Sequence, residues 1–307
     1  MAVTGKIISP VVIITYNRPN HIKKLLLEIN KHKVDKIYIV SDGPKKNFND
    51  IKLVKKTRNV IDKINKNKKV IKIYSDKNLG LRQRIITGLN KVFEKEKQAI
   101  ILEDDCIPTK EFFLFTKILL KKYRGNKKIA SICGSNHLSE WSDTNAEYLI
   151  SKYFNSWGWA TWADRWNEVN LDPKYLLNEK NDKKILNHLG TYRALFYWKY
   201  KLKKILLKKI SSWAYTYSYY NFLKNKYHVI PKQNLLKNIG FGLNSSNTKI
   251  LPMKYFVKKN KNKLNIISHQ KYSLNYFDNY NNSVEDIVFS KSIFNRFKWL
   301  FGIKIKL

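Results

Sequence analysis

The chain has 307 residues, 43% hydrophobic and 14% aromatic, with only 11 Gly and 7 Pro. This composition excludes a disordered polymer and supports one large core or two fused smaller ones. Sixty Lys and Arg stand against 23 Asp and Glu, a formal charge of +37. Such a field attracts polyanions: nucleic acid, anionic headgroups or a nucleoside diphosphate. The excess is mostly Lys and comes with abundant Asn and Ile, so a bias towards AT-rich codons explains it equally well. Two cysteines, Cys106 and Cys133, form no disulfide framework and read as inert thiols in a reducing compartment. No apolar h-region follows residues 1–6, and no apolar run reaches the roughly 18 residues of a membrane span. The expectation is a soluble or peripheral cytoplasmic protein.

Val11-Val12-Ile13-Ile14 reads as a buried strand, followed by the turn Thr15 to Asn20 and a helix whose inward face is Ile22, Leu25, Leu26 and Ile29. Ile37 to Val40 is the next strand, ended by Ser41-Asp42-Gly43-Pro44. A helix over about 50–65 follows, with Ile51, Val54, Ile61 and Ile64 inward. Val70 to Tyr74 is a third strand, a helix spans about 81–95, and Ala99 to Leu102 is a fourth strand. This alternation predicts an α/β fold with a mostly parallel twisted sheet flanked by helices, whose ligand crevice lies beyond the carboxyl ends of the strands. Past about residue 130 the rhythm breaks into a Trp- and Tyr-rich stretch. The expected organisation is a donor-binding half (1–130), an acceptor-binding half of the same domain (131–250) and a basic C-terminal extension (251–307).

Glu103-Asp104-Asp105 directly follows the fourth strand. Three adjacent carboxylates at the end of a buried strand repel one another, and a divalent cation is the usual compensation. The bland alternative is an acidic loop or helix start, for which Pro108 and Thr109 are suitable residues. Extended-chain alternation would set Glu103 and Asp105 on one side and Asp104 on the other. The other strand ends should meet the same crevice. They bring Thr15, Asn17 and Arg18, then Asp42 and Gly43, then Asn78, Gly80 and Arg82. Arg18, Arg82 and Arg84 are candidate phosphate partners.

Val11 to Asn20, Ser41 to Pro44, Asn78-Leu79-Gly80-Leu81 and Ile101 to Asp105 together resemble the donor half of GT-A glycosyltransferases. Within them, the likeness is to bacterial sugar transferases related to the N-acetylglucosaminyltransferase I family. Ser156-Trp157-Gly158-Trp159-Ala160-Thr161-Trp162, with Trp166, and the segment Ile230 to Gly242 carry the same resemblance. It covers residues 10–250. The resemblance implies a GT-A fold and an inverting, metal-dependent transfer from a nucleotide-sugar, with UDP as the nucleotide. The acceptor would be a glycan or a lipid-linked glycan of cell-surface polysaccharide synthesis. It implies Mn²⁺ or Mg²⁺ on Asp105, the nucleotide base on Asp42, donor sugar and ribose on Glu103 and Asp104, and an acceptor site bordered by Trp157, Gly158 and Trp159. The eukaryotic family has a catalytic Asp shortly before its counterpart of Gly158-Trp159. This chain has Lys152 there, and Ser211, Ser212 and Ala214 at a second candidate place beside Trp213. Asp143, Asp164, Glu168 and Asp172 lie nearby in sequence, and the base is unassigned.

Residues 294–307 mix Phe, Trp, Leu and Ile with four basic residues, a pattern that suits an anionic membrane surface on the inner face of the cytoplasmic membrane, or else a closing element packed on the domain. The rival functions are a basic nucleic-acid-binding protein and a catalytically inactive GT-A-fold binding protein. The first leaves the acidic triplet unexplained and shows no reading motif, so nucleic acid is not an expected partner.

Overall fold

The apolar runs form strands of one sheet, buried except in the edge strand Lys69–Tyr74, in a computed structural model that describes residues 7–64, 69–141, 146–240 and 275–286. Strands β1 (Val11–Thr15), β2 (Lys36–Ser41), β3 (Lys69–Tyr74) and β4 (Gln98–Glu103) alternate with helices α1 (Pro19–Asn30), α2 (Phe48–Ile64) and α3 (Leu81–Phe93). β1 lies between β2 and β4, and β3 pairs with β2, all parallel. Helices cover both faces, which is why β1 and β2 are almost unbroken runs of buried apolar residues. α1 buries Ile22, Leu25, Leu26 and Ile29, as its periodicity requires. In α2 the inward face is Asp50, Val54, Thr57 and Ile61, and Ile51 is exposed, contrary to expectation. The stripe is set by Asp50, whose carboxylate closes the turn after β1, and this rotates Ile51 off the inner face.

After β4 come β5 (Cys106–Pro108), α4 (Lys110–Lys122), β6 (Ile129–Cys133), β7 (Tyr148–Ser151) and β8 (Trp159–Trp162). Short helices α5 (Ala163–Trp166) and α6 (Pro173–Leu176) precede α7 (Asp182–Leu189), α8 (Tyr192–Leu206) and α9 (Trp213–Leu223). β9 (Tyr227–Pro231), β10 (Leu236–Asn238) and α10 (Asn275–Val284) complete the described elements. The sheet order is β3-β2-β1-β4-β8-β6-β9-β7, with β5 and β10 forming a separate ribbon. β8 runs antiparallel to both β4 and β6, and this reversed strand is the physical form of the broken rhythm past residue 130. One apolar layer packs α1 and α4 against the sheet; the other, richer in aromatics, gathers residues of α3 and α5 to α10. Among the described residues no helix is long and apolar enough to cross a membrane.

The extension after residue 250 is not wholly peripheral. Residues 287–307, with the proposed membrane tail, lie outside the described residues, but α10 is docked on β7 and buries Tyr280 and Val284. Polar side chains fix it there. Tyr280 donates to Asn136 Oδ1 at 3.0 Å and Ser151 to Asn281 Oδ1 at 2.6 Å. Glu285, just past the helix, accepts from Tyr153 and pairs with Lys152 at 3.1 Å. Lys152 also donates to the Leu189 carbonyl at the end of α7. Lys152 is thus buried and held by Glu285 and the end of α7.

Glu285→Ala should strand the Lys152 ammonium in the core. Removing one partner of a buried pair costs about 3 kcal/mol, read as a lower urea midpoint with an unchanged slope. An unchanged midpoint would show that α10 does not tie the sheet edge.

Candidate functional site

The carboxyl ends of β1, β2 and β4 open into a cleft of about 480 Å³, within the usual range for small-ligand sites. One wall is Thr15, Asn17 and Arg18 after β1, Asp42 and Lys45 after β2, Asn78 and Gly80 before α3, and Glu103, Asp104 and Asp105 after β4. Trp157, Ser211, Asn238 and Gly240 also line it.

The acidic triplet does not alternate as an extended strand would. β4 ends at Glu103, Asp104 and Asp105 form a turn, and all three side chains line the cleft. The turn is held from two sides. Arg18 lies 3.0 Å from Asp105 and 3.5 Å from Asp104, and Thr15 donates to Asp104 at 2.8 Å. From the other side, β10 pairs antiparallel with β5, and the Ile239 amide donates to the Asp105 carbonyl at 2.8 Å. The chain then passes so close that a Cβ at position 240 would collide with Asp105 Oδ2, so glycine there is a condition of the carboxylate's position.

These carboxyls suit a cation. Burial, and then Asp105 and Asp104, push Glu103 up to about 8. Burial and Asp105 push Asp104 up to about 6, against the pull of Arg18 and Thr15. The negative charge is under-compensated by the protein alone, as expected of a site for a divalent ion. No group of three His, Cys, Asp or Glu among the described residues could hold a metal by itself. A cation here would need oxygens beyond those of this acidic turn, from a ligand such as a diphosphate.

Asp42 organises the neighbouring rim. Its Oδ1 accepts from the Gly43 and Leu79 amides and its Oδ2 from the Gly80 amide, each at 2.9 Å; Asn78 Nδ2 adds a contact of 3.2 Å to Oδ2. It thereby anchors the start of α3, where Gly80 has φ +76°. Arg58 secures the same loop by donating to the carbonyls of Asp42 and Ser75. The Asn17 amide donates to Asp50 at 2.7 Å, and Tyr16 donates to the same carboxylate.

Not every sequence candidate reaches the cleft. Arg82 donates instead to the Leu171 carbonyl at 2.6 Å, while Arg84, two residues later and so on another side of α3, lines the cleft. Gly43 sits behind the rim, where a Cβ would approach the Lys77 carbonyl carbon to 2.5 Å. Trp159 is corrected most sharply: it is 1% exposed and packs on Trp213 and Phe154, with ring centroids 5.4 and 5.2 Å away, so it has no free face for a sugar. Gly158, at φ +59°, makes the bend that turns Trp157 to the cleft and Trp159 to the core, and it does not line the cleft itself. The nearby acids are spent elsewhere. Asp164 pairs with Arg124, Lys127 and Arg165, Glu168 pairs with Lys226, and Asp172 caps α6. Asp143 lies outside the described residues. Sequence reasoning missed Lys45 in the cleft and the supports Asp50 and Arg58. Only Asp50 left a signal, since Asn47 accepts from its amide as a helix-start cap.

A family model described as glycosyl transferase family 2 matches residues 11–195. No curated protein sequence matches. Among solved structures, UDP-glucose pyrophosphorylase complexed with UDP-glucose is similar at 11% identity over 75% of this chain and 92% of that one, with a TM-score of 0.39. Mannosyltransferase PcManGT from Pyrobaculum calidifontis, in complex with GDP-Man and Mn²⁺, is similar at 10% identity over 71% and 68%, with a TM-score of 0.38. HddC from Yersinia pseudotuberculosis is similar at 11% identity over 51% and 78%, with a TM-score of 0.31.

The raised carboxyls predict an unusual pH dependence. An acid whose folded-state pKa lies above its unfolded value keeps its proton longer in the fold, so folding stability falls as pH rises between the two values. For Glu103 that window runs from 4.5 to about 8. The half-buried His137 and His188, depressed to about 4, and the buried His228, depressed to about 3, act in the opposite sense below their ordinary 6.5. Between pH 6.5 and 8 metal-free protein should lose stability, and Glu103→Gln should flatten that slope. Parallel slopes for the two proteins in chemical denaturation would contradict the assigned environment.

Proposed function

The chain belongs to glycosyl transferase family 2 and is a GT-A-fold glycosyltransferase using a nucleotide-sugar donor, and we propose that the acidic turn Glu103–Asp105 with Arg18 is its metal and diphosphate site. The observation that carries this is the convergence of three under-compensated carboxyls and a guanidinium in one cleft at the ends of the parallel strands. Asp105 would hold Mn²⁺ or Mg²⁺. Bound there, the ion would supply charge stabilisation to a leaving diphosphate. Arg18, which pairs with Asp104 and Asp105, and Lys45 both line the cleft and would bring positive charge to phosphate oxygens. Asp42 and Asn78 shape the rim for the nucleotide, with Thr15 fixing Asp104 and Glu103 facing the donor sugar.

UDP as the nucleotide, kinship with the N-acetylglucosaminyltransferase I relatives, inversion and a bacterial glycan or lipid-linked acceptor rest on the motif resemblance. Trp157, half-buried at the cleft, is the aromatic residue that would meet an acceptor sugar. We further propose that residues 131–250 supply the acceptor side and 1–130 the donor side, as Trp157, Ser211 and Gly240 oppose the strand ends. A second reading, donor binding without transfer, is favoured by one observation: the acceptor wall offers Ser211 where an acid would act as base.

Thermal-shift measurements across a panel of nucleotide sugars, with and without Mn²⁺, test the proposal. Stabilisation should need metal and nucleotide together and should vanish in Asp105→Ala. Stabilisation equal in the variant would remove Asp105 from the site. Stabilisation without release of nucleoside diphosphate, with any offered acceptor, would select the second reading.

A further inference from the structure

α8 carries a surface that neither the core nor the cleft explains. Its inner side buries Ala194, Leu195, Tyr197, Trp198, Leu202 and Ile205. Its outer side, at helical spacing, presents Tyr192, Phe196, Lys203 and then Leu207 just past its end. Tyr192, Phe196 and Leu207 are 65%, 64% and 63% exposed. Three large apolar side chains on one exposed strip are more than scattered surface residues require.

The charge around the strip has one sign. Between Asp182 and Asp278 the sequence contains no Asp or Glu and twenty Lys and Arg. At the upper end of α8, Arg193 is matched by Asp286 at 2.7 Å, and Lys199 is matched by Asp182. Towards Leu207 the matching stops: among the described residues no acid pairs with Lys203, Lys208 or Lys209. Apolar rings and leucines flanked by unmatched lysines are the chemistry of a helix lying in the headgroup layer of an anionic bilayer. A free polyanion would call for the lysines but not for Phe196 or Leu207. A second copy of the same face would set like charges together. Residues 241–274 and 287–307 also contain no acid that could neutralise it.

The position of the strip matters. Three residues, and so four Cα steps with a reach of at most about 14 Å, separate Leu207 from Ser211, which lines the cleft. We infer that the outer face of α8 and the loop after it dock on an anionic membrane surface and hold the acceptor side of the cleft there. The docking gives a lipid-linked acceptor its route, a purpose that rests on the proposed transfer, whereas surface binding is measurable without it.

The test uses the full-length protein floated with vesicles of phosphatidylcholine alone and of phosphatidylcholine mixed with phosphatidylglycerol. The protein should rise only with the mixed vesicles. Phe196→Ser with Leu207→Ser, and separately Lys203→Glu with Lys208→Glu, should each lower that partition about tenfold, with melting temperature and nucleotide-induced shifts unchanged. Partition unaltered in both double variants would overturn the inference. So would loss on charge reversal alone, the mark of a general polyanion surface. A dimer that becomes a monomer in the serine variant, with vesicle binding retained, would assign the strip to a second copy. Flotation of the expected pattern without any nucleotide response would count against the donor site and leave the docking face standing.

Discussion

The clamping of the turn after β4 is the constraint on which the rest of the site depends. Left to itself, a run of three carboxylates would splay into solvent or break the strand that carries it. Here Arg18 and Thr15 hold it from the β1 side, and the β5–β10 ribbon with the Ile239 amide holds it from the other. The clamp orders the acids without offsetting their charge: burial, and then Asp105 and Asp104, still push Glu103 up to about 8 against the pull of Arg18. A rigid frame around unsatisfied charge is a preorganised site for a cation and its anionic ligand.

The same logic extends outward. The turn after β1 is positioned by Asp50 at the head of α2, and the rim before α3 by Asp42, so two of the chain segments that face the cleft are each tied by a carboxylate at a helix start. The reversed strand β8 brings Trp157 to the cleft, and the Gly158 bend sends Trp159 into the aromatic layer beneath it. That layer continues through α9 to α10, while α8 leaves Tyr192 and Phe196 exposed on its outer face.

Much of this was legible in the sequence, for physical reasons that differ by element. Parallel strands buried on both faces must be apolar throughout, so Val11 to Ile14 and Ile37 to Val40 announce themselves, and a charged triplet after such a run has few other uses. Trp159 misled because a Trp beside a glycine in a sugar-transferase motif reads as a binding face, and the positive φ at Gly158 that reverses its direction leaves no trace in residue types. Arg82 and Arg84 cannot be told apart by pattern, since which of them reaches the cleft depends on the rotation of the first turn of α3. The Asp105–Ile239 contact joins segments far apart in the chain, and only their ribbon pairing reveals it. α10 was hidden by its own composition: Asn-rich and poor in helix formers, it is helical because tertiary hydrogen bonds to Asn136, Ser151 and Lys152 outweigh propensity.

Anomalous diffraction at the manganese edge, from crystals grown with UDP and Mn²⁺, puts the central claim to its most direct trial. A manganese peak should lie within coordination distance of an Asp105 carboxylate oxygen and of the diphosphate, with Arg18 still beside the turn. A nucleotide bound with manganese remote from residues 103–105, or a turn whose acids point away from the diphosphate, would contradict it.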